Sequence, residues 1–298
     1  MLTNKEIDVI IIMYKIKRRS TVKFVKFFFV LTALAMTLAM TSCKQEVDDA
    51  STKGDDAKTS EGLEFVSNGD GTCVLKGIGS CQDSDIVIPS VSPEGDRVVE
   101  ISENAFGDCE NMTSVIIPDS VTSIDGSAFW GCTGLTSIFI PDSVTSIDEN
   151  VFSNCVGLTS IIVDANNPSY YSEGYCLIAK NPKGLVSGCK RSVIPDGVTS
   201  IGEDAFYGCT GLTNIIIPDS VETIGVCAFS ICKGLTEITI PNSVTRIEMF
   251  AFSNCTGLTS ITFQGTMAQW ERIVLGTNWN DQVPATVVHC TDGDVPLK

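Results

Sequence analysis

Cysteine recurs at a fixed interval along this chain, and its thiol is the side chain here whose spacing could do chemistry. Six cysteines fall into two runs with 23 residues between neighbours: Cys109, Cys132, Cys155, and Cys209, Cys232, Cys255. Zinc sites use close pairs such as C-x-x-C, and the sequence contains no such pair. One thiol in every 23 residues therefore favours buried free thiols that fill space and donate weak hydrogen bonds to turns.

Two other cysteine pairs predict disulfides. Cys73 with Cys81, and Cys176 with Cys189, each bracket a predicted hairpin. Such pairs can be oxidised if the chain is exported from the reducing cytosol.

Other catalytic and metal-binding signals are weak. The one histidine, His289, lies beside Cys290 near the C-terminus, where we expect packing or surface exposure rather than a catalytic triad. An aspartate follows four of the repeated prolines, and this pattern is better explained by turns than by calcium, because no D-x-D-x-D-G loop occurs. Phosphate-binding loops and nucleophile elbows are also missing from the sequence. We expect no enzyme activity, no cofactor and no metal site.

The interval itself predicts the architecture. Five prolines recur with the cysteines, at Pro118, Pro141, Pro195, Pro218 and Pro241. Four of the resulting repeats are adjacent in pairs, and 31 extra residues separate Pro141 from Pro195. A fixed period of this size is typical of a solenoid, in which each coil covers the apolar face of the next.

Each repeat can be read as one coil. In "GLTSIFIP" the apolar residues Leu135, Ile138 and Ile140 have the spacing of a leucine-rich-repeat strand. Proline ends that strand, "SVTSI" forms a second short strand, and "GSAFWGC" closes the coil in a tight helical or 3₁₀ turn with Phe129 inside. The predicted fold is a mainly β solenoid with short parallel strands and a cap at each end.

The repeat resembles the BspA-like class of leucine-rich repeats, whose pattern is approximately I-P-x-S-V-T-x-I-G-x-x-A-F-x-x-C-x-x-L. The resemblance covers about residues 63–290, with five complete copies. It implies adhesion to host matrix or plasma proteins, or to other bacterial cells.

The N-terminus predicts export. A basic run precedes the apolar run "FFFVLTALAMTLAM", which is typical of a secretory signal. The following "TSCK" resembles a bacterial lipobox, which implies lipidation of Cys43, although Met40 stands where that pattern usually has leucine. The polar segment after Cys43 favours a flexible tether. We therefore expect a lipid-anchored protein of the bacterial envelope, on the outer membrane or cell surface.

The predicted organisation has five parts. They are a signal peptide (1–42), a tether (43–62), an N-terminal cap hairpin (63–85), leucine-rich repeats (86–261) with an inserted hairpin at about 164–192, and a C-terminal cap (262–298).

Charge limits the partners. The chain has 20 basic and 36 acidic side chains and a net charge of −16. Residues 1–42 hold seven of the bases and two of the acids, so the remainder is more acidic still. Such a surface repels phosphate backbones, which excludes nucleic acid as the expected partner and favours protein.

The outward side chains of the first strand give the candidate binding residues. They are Ile116, Phe139, Ile162 and Ile216, flanked by the hydroxyl residues Thr136, Ser137, Thr159 and Ser160. Parallel stacking would align the first three into an exposed apolar row, which usually marks a contact site. Two alternatives stay open: the row is exposed, or the insertion after Val163 folds back and covers it.

Two functions follow from this pattern. The first is an adhesin that binds proteins or other cells through the open strand face. The alternative is a periplasmic or envelope scaffold that organises partners of the same cell.

Overall fold

The computed structural model describes residues 59–297. The predicted signal peptide and the lipidation site Cys43 lie outside these residues. The described part is a mainly β solenoid of about nine turns, and the predicted fold is thereby confirmed. No helix within residues 59–297 is both long and apolar enough to cross a bilayer.

Each coil contributes one short strand to each of two ladders of strands. The strands are β1 (Glu64–Ser67), β2 (Thr72–Gly77), β3 (Asp85–Val87), β4 (Arg97–Ile101), β5 (Ser114–Ile116), β6 (Ser123–Ile124), β7 (Ser137–Ile140), β8 (Ser146–Ile147), β9 (Ser160–Val163), β10 (Tyr170–Glu173), β11 (Cys176–Ala179), β12 (Gly184–Ser187), β13 (Ser200–Ile201), β14 (Thr223–Ile224), β15 (Glu237–Ile240), β16 (Arg246–Ile247), β17 (Ser260–Phe263), β18 (Val274–Leu275), β19 (Val287–Cys290) and β20 (Gly293–Pro296). The helix α1 spans Met267–Trp270.

The first ladder carries the open strand face. It contains the pairs β3 with β5, β7 with β9, and β15 with β17 and β19, all parallel and in register at the 23-residue interval. The second ladder runs from β2 through β4, β6 and β8, and resumes from β12 through β13, β14, β16 and β18. In both ladders alternate residues point into the core, because successive side chains of a strand face opposite sides.

The third side of each coil is a chain of turns rather than a helix. The sequence predicted tight helical or 3₁₀ turns, but two positions in each turn have left-handed backbone. One of these positions holds Asn104, Ser127, Asn150, Asp204, Cys227 and Phe250. Left-handed residues interrupt a right-handed helix, so the turns bond to the neighbouring coil instead. The amide of Phe129, for example, donates to the carbonyl of Val151 at 3.0 Å.

The core is a stack of equivalent side chains. Phe106, Phe129 and Phe152 form one aromatic stack, with ring centroids 5.3 and 5.6 Å apart. Phe206, Phe229 and Phe252 form a second stack, with centroids 5.0 and 5.2 Å apart. These six rings are buried. The coil repeat of about 4.8 Å matches the thickness of one ring plus contact, which explains why each coil contains one phenylalanine at this position.

Antiparallel strands lie at both ends of the described part. At the N-terminal end β1 and β2 pair around the turn that contains Asn68 and Gly69. Residues 59–62, predicted as part of the tether, belong to this folded end, since the amide of Ser60 donates to the carbonyl of Val87. At the C-terminal end β19 and β20 pair, and Trp270 and Trp279 pack over the last coils.

The insertion forms a hairpin and then rejoins the solenoid. Strands β10 and β11 are antiparallel, β11 pairs with β12, and β12 pairs in parallel with β13 of the next coil. The buried amide of Asn167 donates to the carbonyls of Pro141 and Val144, both at 2.8 Å. The amide of Asn154 donates to the carbonyl of Tyr207, so the turn sides of the coils stay adjacent across the insertion.

Candidate binding surface

The repeated cysteines are buried thiols with a shared structural role. The Sγ–H groups of Cys132, Cys155, Cys232 and Cys255 donate to the carbonyls of Phe106, Phe129, Phe206 and Phe229, at 2.9 to 3.1 Å. All four are free. Each thiol thus satisfies one turn carbonyl of the preceding coil, which agrees with the sequence interpretation.

Burial makes these thiols poor nucleophiles. It raises the pKa of Cys255 and of Cys209 to about 12, because the thiolate form is disfavoured away from water. Burial also raises the pKa of Cys232 well above its usual range. The repeat cysteines therefore do not form a reactive array.

The structure does not contain the predicted disulfide between Cys73 and Cys81. Both are free thiols. Cys73 lies opposite Ser67, near the turn of the first hairpin, whereas Cys81 follows the other end of β2. The four residues of extended strand from Cys73 to Gly77 span about 13 Å, well beyond the Cα separation of about 7 Å that a disulfide allows.

Cys176 and Cys189 are also free in the structure. Their thiols point at different carbonyls: that of Cys176 at Val193, 3.8 Å away, and that of Cys189 at Tyr175, 3.7 Å away. Burial raises the pKa of Cys176 to about 12. The second predicted disulfide is therefore not formed here.

The aspartates that follow proline lie in turns. In each turn the proline carbonyl accepts from the amide of the valine three residues later, as between Pro218 and Val221 at 3.0 Å. Within residues 59–297 no group of three or more histidine, cysteine, aspartate or glutamate side chains is placed to hold a metal ion. His289 is exposed on β19, where its Nδ1 lies 2.9 Å from Oδ1 of Asp294.

Carboxylates crowd together beside the second ladder. Burial, followed by repulsion from Glu203 and Glu149, raises the pKa of Asp204 to about 6. Burial and the charge of Glu149 also raise the pKa of Glu203. These carboxylates are stacked by the coil repeat, so each ionised group raises the energy of its neighbours.

Asp204→Asn is expected to stabilise the protein at pH 7 by about 1 to 2 kcal/mol, after allowance for solvent screening. Asp204 has left-handed backbone, and Asn104 and Asn150 adopt it at the same repeat position. Because the folded-state pKa is raised, the wild type gains stability as the pH falls from about 7 towards 4, and the advantage of asparagine disappears there. Thermal unfolding at several pH values measures this, with the exposed turn variant Asp196→Asn as the control. An advantage that is the same at pH 7 and pH 4.5 would contradict the prediction.

The four candidate apolar residues lie in one column of the open strand face. Ile116, Phe139 and Ile216 are 58%, 39% and 74% exposed, and Ile162 is half-buried. Phe139 pairs in register with Ile162 across β7 and β9. Strands β10 and β11 contact β9, which explains the lower exposure of Ile162. The insertion therefore leaves Ile116 and Phe139 uncovered.

The flanking hydroxyl residues lie where the strand pattern places them. Ser137 and Ser160 are opposite each other in β7 and β9. Thr136 and Thr159 precede them, and the Thr159 hydroxyl donates to the carbonyl of Thr136 at 3.0 Å. Part of this hydroxyl row is thus used to hold the coils together.

Sequence reasoning missed three residues of this face. Val193 is 61% exposed and stands 23 residues before Ile216, so it belongs to the same column. The interval could have revealed it, but residues up to 192 were assigned to the insertion. Tyr175 and Arg191 also lie here, because the amide of Val193 donates to the carbonyl of Gly174 at the tip of the hairpin. Only the folded chain brings Tyr175 to this place.

We call the column Ile116, Phe139, Ile162, Val193 and Ile216 the apolar stripe. Its two ends are five coil spacings apart, or about 24 Å at about 4.8 Å per coil. The column continues into polar residues at Thr239 and Thr262, which pair in register. An elongated apolar surface with a hydroxyl rim suits contact with an extended polypeptide.

The larger cavities lie elsewhere. One of about 360 Å³ is lined by residues that include Leu63, Phe65 and Pro89 at the N-terminal end. Another of about 350 Å³ is lined by residues that include Trp270, Ile273 and Leu275 at the C-terminal end. Neither cavity includes a residue of the stripe, so the stripe is a surface rather than a pocket.

Comparisons with known proteins agree with the fold. The family model described as the BspA type leucine-rich repeat region matches residues 84–177 and 187–275 in six copies. Comparison with curated proteins finds no match.

Solved structures include similar solenoids. The pneumococcal vaccine antigen PcpA is 18% identical with a TM-score of 0.54, over 70% of this chain and 56% of that protein. A leucine-rich repeat protein from Bacteroides ovatus is 24% identical with a TM-score of 0.44, over 80% and 72% of the two chains. The leucine-rich repeat protein of T. pallidum is 24% identical with a TM-score of 0.42, over 74% and 86%. This chain spans little more than half of the pneumococcal protein.

The family model covers more than half of the chain, and its six copies coincide with the coils of the solenoid. The chain belongs to the family of proteins with BspA type leucine-rich repeats.

Proposed function

We propose that this protein is a non-enzymatic binding protein that holds protein ligands along the apolar stripe. The observation that carries the proposal is the register of the exposed apolar residues. Of the nine large hydrophobic residues exposed in the described part, four belong to this column: Ile116, Phe139, Val193 and Ile216. Scattered exposed hydrophobic residues need no explanation, but a contiguous row of them usually marks an interaction site.

The stripe stays clean of acidic side chains in a strongly acidic protein. Residues 59–297 hold nine basic and 29 acidic side chains, yet the stripe and the hydroxyl positions Ser137 and Ser160 contain none. Uncharged surface lowers the cost of removing water when a partner binds. The ligands that the family resemblance implies are matrix or plasma proteins of a host, or proteins on other cells.

We also propose that the protein acts at the bacterial cell surface, attached through lipid on Cys43. The proposal rests on the basic and apolar N-terminal runs and on the lipobox-like "TSCK". Signal, tether and caps keep the predicted bounds, apart from residues 59–62, which join the folded body. Protease treatment of intact cells distinguishes this from a scaffold inside the envelope, because only a surface-exposed body is cut.

Phe139→Asp is expected to weaken binding at least tenfold to whichever proteins bind the wild type in a panel of immobilised matrix and plasma proteins. A carboxylate at the centre of the stripe must be desolvated under a bound partner, and it also adds repulsion. Surface plasmon resonance with the full-length protein measures the change.

Thr239→Asp is the matched control. Thr239 is exposed in the same column, in the polar part beyond the stripe. Its substitution adds the same charge to the same face and should change affinity by less than about twofold. Equal losses in both variants, or no bound protein in the panel, would argue against the stripe as the binding surface.

A further inference from the structure

Arg191 places a positive charge inside the apolar stripe. Burial alternates from Arg191 to Ile194, with Arg191 and Val193 exposed and Ser192 and Ile194 buried. Alternate residues of an extended segment share a face, so Arg191 and Val193 point to the same side. Ile216 lies in the same column one coil further on and is 74% exposed.

The guanidinium is held in place by the hairpin of the insertion. Its Cζ lies 4.7 Å from the centre of the Tyr175 ring, and Nη2 donates to the Tyr175 hydroxyl at 3.3 Å. The hairpin tip is itself bonded to this segment, since the hydroxyl of Ser192 donates to the carbonyl of Tyr175 at 3.3 Å. Stacking on an aromatic ring orients the flat guanidinium and leaves its other N–H groups facing outward.

No carboxylate of the folded body pairs with this cation. The ion pairs within residues 59–297 are Arg246 with Glu248 and His289 with Asp294. The neighbouring Lys190 is engaged differently, because its ammonium donates to the carbonyl of Val156 at 3.2 Å. In a protein with 29 acidic side chains over this range, an oriented and unpaired arginine on a binding surface has free capacity for an outside anion.

We propose that Arg191 binds a carboxylate side chain of an extended peptide segment whose apolar side chains lie on the stripe. This inference rests on the proposed function and specifies the partner's chemistry. Arginine and carboxylate form two parallel hydrogen bonds, which sets position as well as affinity.

Local charge supports this choice of partner. Four of the nine basic residues of the described part fall within residues 180–191, in an otherwise acidic body. A partner carboxylate is repelled over most of the surface and attracted here, so Arg191 would fix the register of the bound segment.

The test uses a phage-displayed library of random 12-residue peptides, selected on the full-length protein. The expected result is enrichment of peptides with an aspartate or glutamate beside apolar residues. The same selection on the Arg191→Glu variant should lose that acidic residue. A synthetic enriched peptide should bind Arg191→Glu at least tenfold more weakly than wild type, and Arg191→Lys to an intermediate extent.

Lys183→Glu is the control of equal charge change. Lys183 is exposed in the same insertion and lies outside the stripe. Its substitution should leave peptide affinity within about twofold. Replacing the acidic residue of the peptide by its amide should cost affinity in wild type and little in Arg191→Glu.

Failure of this inference is distinguishable from failure of the proposed function. Enriched peptides that lose affinity in Phe139→Asp but carry no acidic residue would overturn the role of Arg191 and leave the stripe intact. Equal losses in Arg191→Glu and Lys183→Glu would also overturn it, since they would reflect only the general field of the protein. Loss of no affinity in Phe139→Asp would instead count against the stripe.

Discussion

Replacing Phe129 by alanine is expected to lower the free energy of unfolding by about 4 kcal/mol, a large part of the stability of an ordinary domain. The ring is fully buried and stacks on Phe106 and Phe152 in the coils before and after. Its removal leaves a cavity that the neighbouring coils cannot close, because their spacing is held by strand and turn hydrogen bonds. Urea unfolding followed by circular dichroism measures the loss.

Phe139→Ala is the matched control for Phe129→Ala. The two phenylalanines are ten residues apart in the same repeat, but Phe139 is 39% exposed on the open face. Its truncation should cost less than about 1 kcal/mol, as is usual for surface positions. Similar losses in the two variants would mean that the aromatic stack is not the core of the solenoid.

Gly234→Ala is expected to destabilise the fold by about 3 kcal/mol, because the new methyl group overpacks the coil interface. A Cβ at Gly234 would lie 2.4 Å from the carbonyl oxygen of Thr210 in the preceding coil. Backbone atoms in a hydrogen-bonded ladder cannot move away as a side chain can. The same close approach occurs at Gly134, Gly157 and Gly257, all within 2.4 Å of a carbonyl oxygen.

Gly211→Ala tests this explanation, because Gly211 occupies the same repeat position next to the insertion. Its nearest neighbour is the side chain of Lys190, with Cδ at 3.1 Å, and no carbonyl lies within the closest contacts. A lysine side chain can shift, so the substitution should cost less than about 1 kcal/mol. Thermal melting of both variants gives the comparison, and equal destabilisation would rule out the carbonyl clash.

Much of the fold is predictable from the repeat. A 23-residue interval shared by proline, cysteine and the apolar pattern requires coils of equal length, and equal coils can stack only as a solenoid. The inward role of Phe129 and the structural role of Cys132 follow, since identical positions in stacked coils meet the same neighbours. The turn side was less predictable, because left-handed residues such as Cys227 and Phe250 have no signal in their residue types.

The candidate site was predictable only in part. The column of Ile116, Phe139 and Ile216 follows from strand alternation and the interval. Its exposure was undecided, because the insertion could have covered it. Val193 was overlooked where the repeat was interrupted, and the pairing of Cys73 with Cys81 was wrong because a strand separates them.

The sequence by itself determined the solenoid, its family and its core, because a repeat makes every contact between coils a contact between residues a fixed interval apart. Only the tertiary structure decided what happens where the interval breaks. The insertion brings Tyr175 under Arg191 and packs beside Ile162 while leaving Phe139 open. Such contacts depend on how the hairpin of the insertion packs against the neighbouring coils, and no periodicity in the sequence encodes that packing.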